Sequence, residues 1–126
     1  MDMTDKSIEQ EIQAKGKTAP RVTPDDIEAN IASEHYFTAR DGRFGAITMN
    51  TYAGREKPEM FDSDLSPLDL LTFCVLVLRN GFTVAGESAC ASPENFDTEI
   101  GRKIARQNAV QKIWPLMGYE LRSKLA

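Results

Sequence analysis

Apolar positions along this chain fall into two stretches that repeat with different periods. The run from Leu70 to Leu78 is nearly unbroken, with only Asp69 before it and Thr72 within it polar. Such a run, bounded by turn formers, predicts a central strand covered on both faces. It ends at Asn80-Gly81, the pair that best suits a tight hairpin turn. The next run alternates, with Phe82 and Val84 pointing one way and Thr83, Ala85 and Glu87 the other, which is the period of a strand.

From Phe96 onward the period lengthens. Phe96, Ile100 and Ile104 recur every four residues, and Ala105, Ala109 and Ile113 extend the stripe. This spacing predicts an amphipathic helix with Ser92 or Asp97 as its N-cap. Pro115 should interrupt it near Trp114, with one more helical stretch beyond.

Upstream signals are weaker. In "VTPDDIEANIASE", Thr23 is a candidate N-cap, Pro24 suits the first helical position, and Asp25 and Asp26 sit at the positive end of the helix dipole. Ile27 and Ile31 then share one side. The segment "HYFTARDGRFGAITMNTYA" mixes aromatic and β-branched residues around Asp41-Gly42 and predicts a second hairpin. Residues 54–67 read as a loop, and residues 1–20 as a flexible N-terminal arm with a short helix around Ile8 and Ile12. Residues 21–126 then form a single α+β domain, an antiparallel β-sheet packed with a short N-terminal helix and a longer C-terminal amphipathic helix.

Composition narrows the function. The 126 residues suffice for one core, and 15 Lys+Arg against 19 Asp+Glu leave a formal charge of −4. A protein that grips DNA by its phosphates carries a basic surplus, so any anion bound here should be small and held locally. No apolar run reaches membrane-spanning length and no signal core opens the chain, which makes the cytoplasm the default compartment. His35 is the only histidine, and Cys74 and Cys90 are too far apart for a CxxC pair. A metal, a cofactor or a catalytic triad therefore has little to stand on, and enzymatic chemistry is not expected.

One cluster stands out. Arg102 and Arg106 are neighbours on one helix face with Lys103 beside them, and two guanidinium forks can close on a pyrophosphate. Asn95 and Asp97 at the start of the same helix can accept from sugar hydroxyls or an adenine amino group. Glu87 adds a carboxylate, and Phe82 or Phe96 could stack on a base. With Ile100 and Ile104 on the opposite side, the arginines should point away from the core. The same residues also read as an ordinary solvated helix entry, in which Asp97 or Asn95 caps and Glu99 pairs with Lys103.

The stretch from Leu70 to Leu125 carries the strings "GES", "CASPENFD", "GRKIA" and "WPLMGYEL". In these it resembles a family of small phage-encoded proteins that includes the first type of Thoeris anti-defence protein. That resemblance implies a sponge, which binds cyclic ADP-ribose isomers made by TIR-domain enzymes and withholds them without cleavage. It implies a homodimer or hexamer with the pocket between subunits, and separate sites for cyclic oligonucleotides. It places Asn95, Asp97, Arg102 and Arg106 in the ligand site, with Glu87 and Phe82 beside them, and the protein in the cytoplasm of the infected bacterial host. The rival readings are a sponge for cyclic oligonucleotides of CBASS-type immunity and a non-enzymatic phage host-interaction protein.

Overall fold

The computed structural model describes residues 4–17, 19–56 and 63–126. Helices α1 (Asp5–Ala14) and α2 (Pro24–Ala29) lead into strand β1 (Ile31–Thr38) and helix α3 (Ala39–Thr48). A 3₁₀ segment, Ser63–Leu70, precedes strands β2 (Leu71–Leu78) and β3 (Thr83–Ala89). Helices α4 (Thr98–Gln111) and α5 (Ile113–Leu125) close the chain. The strands form one antiparallel sheet in the order β1-β2-β3, so the most apolar run is the central strand and the architecture is α+β.

The hairpin between β2 and β3 closes at Asn80-Gly81. Gly81 takes φ +89°, a conformation that favours glycine, and Asn80 Oδ1 accepts from the Phe82 amide at 2.9 Å. Along β2, Thr72, Cys74, Leu76 and Leu78 are buried, while Leu71, Phe73, Val75 and Val77 are half-buried. The buried set faces α4. On the other face, Phe37 and Phe73 lie with ring centroids 5.6 Å apart, and α3 meets Phe37 at Gly42.

What seats α4 on the sheet is a stripe of small residues. Gly101, Ala105 and Ala109 recur every four positions and are buried. Opposite them, a Cβ placed on Gly86 would stand 2.3 Å from the Ala105 carbonyl oxygen and 2.3 Å from the Ala109 nitrogen. The helix backbone thus touches the β3 backbone directly. Ile27 from α2 and Ile113 from α5 complete the core with Cys74, Leu76 and Val84.

The structure differs from the sequence expectations at four points. Asp41-Gly42 does not turn a hairpin but lies in the first turn of α3. Thr38 Oγ1 accepts from the Asp41 amide at 3.1 Å, and Asp41 Oδ2 accepts from the Thr38 amide at 2.9 Å. That reciprocal capping box satisfies two orphan donors and overrides the turn propensity of Asp-Gly. The expected stripe holds at Ala105, Ala109 and Ile113, which are fully buried, but not at Ile100 and Ile104, which are 56% and 42% exposed, because small residues let the helix sit closer and Ile would hold it off. The break after α4 comes at Lys112, and Pro115 lies in the first turn of α5, where its missing N–H costs least. The expected loop of residues 54–67 lies partly outside the described residues, and from Ser63 the chain is already 3₁₀-helical.

A consequence follows for Ile104. Half-exposed, it should lose no more than about 1 kcal/mol of stability on Ile104→Ala, as surface substitutions generally do. Thermal melts of the variant check this; a fall of about 2–5 kcal/mol, typical of core deletions, would put the residue back in the core.

Candidate ligand-binding site

Helix α4 opens at Asp97, whose Oδ1 accepts from the Ile100 amide at 3.0 Å, while Ser92 makes no side-chain capping bond. Beyond this cap the helix presents two different flanks. Toward β1 lies a cleft of about 390 Å³ lined by Tyr36, Thr98, Glu99, Arg102, Lys103 and Arg106. On the other flank, Asn95, Phe96, Asp97, Ile100 and Ile104 share a smaller pocket of about 130 Å³ with Leu70 and Cys90.

Of the residues read from sequence, Arg102 and Arg106 therefore meet in one cleft, and Asn95 and Asp97 in another. Phe82 stands apart at the hairpin end, 55% exposed beside Leu116 and Met117. Glu87 pairs with Phe73 across the ladder, which puts it on the sheet face away from α4. Leu70 borders the Asn95 pocket and Leu78 the Phe82 groove, so the full length of β2, roughly 25 Å, separates them within one subunit.

The two arginines differ in kind. Arg106 is 28% exposed and saturated with carboxylates. Its Nη1 and Nη2 donate to the two Glu28 oxygens at 3.1 and 2.8 Å, and its Nε and Nη2 donate to the two Glu34 oxygens at 3.0 and 3.1 Å. The guanidinium ties α4 to α2 and β1 at once, so it does not point out into solvent as its helix position alone suggested. Its bonds hold the Glu34 carboxyl below the usual carboxylate range, with the Tyr36 hydroxyl adding to the effect from 2.7 Å. Burial, and then the bond to Glu34, holds the Tyr36 phenol neutral well above its ordinary range.

Arg102 is uncommitted. Its guanidinium lies 5.9 Å from the Tyr36 ring centroid, a cation–π arrangement, and among the described residues it forms no ion pair. Lys103 reaches Glu99 at 3.3 Å, but both side chains are largely exposed and such a pair is worth little. The cleft therefore combines an aromatic face, a hydroxyl and two available cations. Among the described residues no group of His, Cys, Asp and Glu could hold a metal, and no helix is long and apolar enough to cross a membrane.

Tyr36, Glu34, Glu28 and Thr98 were missed from the sequence. The signal was present in part, since Glu34 and Tyr36 alternate on one strand face, but their partners Glu28 and Arg106 lie on other elements. Residues 22–125 match the phage protein (N4 Gp49/phage Sf6 gene 66) family. The chain belongs to this family of phage proteins. No match was found among curated proteins or solved structures. The family's span takes in α2 through α5 and the whole Tyr36–Arg102 cleft, and it begins after α1.

Proposed function

We propose that this phage protein sequesters a nucleotide second messenger of the cyclic ADP-ribose class without degrading it, and so blocks Thoeris immunity in the cytoplasm of the infected host. The observation that carries the proposal is the cleft in which Arg102 lies over Tyr36 with Lys103 and Thr98 beside it. A pyrophosphate suits the two cations, ribose hydroxyls suit Thr98, and an adenine suits the Tyr36 ring. The resemblance to Thoeris anti-defence sponges points to the same ligand class. Capture needs no general base, metal or cofactor, in keeping with a chain that has one histidine.

In this reading Arg102 and Lys103 take the phosphates, and Arg106 supports Tyr36 from behind. Asn95, Asp97, Phe82 and Glu87 do not line this cleft and in this reading contribute from a neighbouring subunit, which makes assembly part of the proposal. Ile100 and Ile104 are apolar surface that a second copy would cover. Light scattering should accordingly report a homodimer or larger; a monomer of about 14 kDa at every working concentration would remove the shared site.

The chemical test is direct. Protein incubated with a cyclic ADP-ribose isomer and then heat-denatured should return the ligand intact. A linear ADP-ribose product would show turnover and end the sponge assignment. A panel that adds cyclic di- and trinucleotides separates the CBASS-type reading, which requires tighter binding of those ligands, and a host-interaction protein would retain none of them.

A further inference from the structure

Helix α1 precedes the family-matched span and yet rests on residues inside it. Thr4 caps its start, accepting from the Ser7 amide at 3.1 Å. The Trp114 indole N–H donates to Asp5 Oδ2 at 3.0 Å, and an ion pair joins Glu9 to Arg21. Ile8 and Ile12 face Val22, Pro24 and Trp114 across a pocket of about 220 Å³, so the fit is loose. No residue of α1 is buried, and Ile8 remains 39% exposed.

Two consequences follow from these contacts. A helix of ten residues is marginal in water by itself, so α1 is helical because it docks. The core of Ile27, Cys74, Leu76, Ala105, Ala109 and Ile113 contains none of its side chains, an arrangement in which local release can precede global unfolding.

We infer that α1 is a releasable strap: docked on its own chain it masks an apolar groove formed by Val22, Pro24 and Trp114, and its release uncovers that groove without unfolding the domain. Gly16, at φ +68°, ends the helix on the side that leads back to the body.

Trp114 is the only tryptophan, so its emission reads the docking directly. In the full-length chain, Ile12→Glu should red-shift the emission and increase quenching by acrylamide, while the main far-UV melting transition stays with the parent. Asp5→Asn, which weakens the indole's acceptor, should shift the emission in the same direction by less. The parent emission should not change on dilution. An unchanged spectrum in Ile12→Glu would overturn the strap. So would a main transition that falls together with the emission shift, since α1 would then be part of the core. A parent spectrum that moves with concentration would overturn docking within one chain.

Discussion

Gly86→Ala is expected to cost at least about 3 kcal/mol of stability, at or beyond the upper end for overpacking a core, and to lift α4 from the sheet. The methyl group would sit 2.3 Å from both the Ala105 carbonyl oxygen and the Ala109 nitrogen. Both are helix backbone atoms, so no side-chain rotation can relieve the clash. The helix must translate, and that movement loosens the contacts of Ala105, Ala109 and Ile113 together. The thermal midpoint should fall by on the order of 10 °C or more. Gly118→Ala is the control: a Cβ there meets nothing within 4 Å, and in a helix the change should be neutral or stabilise by about 0.5–1 kcal/mol. Equal midpoints for Gly86→Ala and the parent would show that the helix does not approach the strand so closely.

Arg106→Ala should be the costliest change among the charged residues, about 1.5–3 kcal/mol. Removing the guanidinium strands Glu28 and Glu34 side by side and releases the Tyr36 hydroxyl's partner. The interaction is only partly shielded from water, which keeps the figure below that of a fully buried pair. Arg106→Lys should recover part of the loss, since the charge survives without the two-pronged geometry. Glu34→Gln added to Arg106→Ala should cost little further, because the partners act as a unit. The pH dependence has a defined sign. Arg106 depresses the Glu34 pKa in the folded state, so its stabilisation is complete above the unfolded carboxylate value and is lost as pH falls through the lower folded one. That acid limb should shrink in Arg106→Ala. Denaturant melts across the acid range measure both effects, and an Arg106→Ala variant as stable as the parent at neutral pH would show a merely solvated arginine.

How much was legible in the sequence differs from element to element. The β2–β3 hairpin could be read because composition and turn chemistry agree there: an apolar run, Asn80-Gly81, then alternation. Thr23 and Asp97 were legible as caps for the same reason, since the bond each makes is local. Helix α3 was not, because Asp-Gly favours a turn unless the Thr38–Asp41 box is weighed against it. Periodicity placed Ala105, Ala109 and Ile113 in the buried stripe of α4, but it could not show that Ile100 and Ile104 lie outside it. The cause is Gly86, a residue on another element, whose lack of a side chain makes Gly101, Ala105 and Ala109 the buried stripe. The candidate site divides along the same line. Arg102 and Arg106 were legible as neighbours, but Glu28, Glu34 and Tyr36 come from segments about 70 residues away. Sequence spacing carries no information on which of two adjacent arginines those carboxylates will occupy.

Titration calorimetry with a cyclic ADP-ribose isomer, on the parent and on Arg102→Ala, tests the central proposal most directly. The parent should bind, and Arg102→Ala should bind more than tenfold more weakly, the loss of one charge-assisted contact of roughly 1.5–3 kcal/mol. Its melting should match the parent's, because Arg102 is exposed and forms no ion pair among the described residues. A parent that does not bind, or an Arg102→Ala variant that binds as tightly as the parent, would contradict the assignment of this cleft.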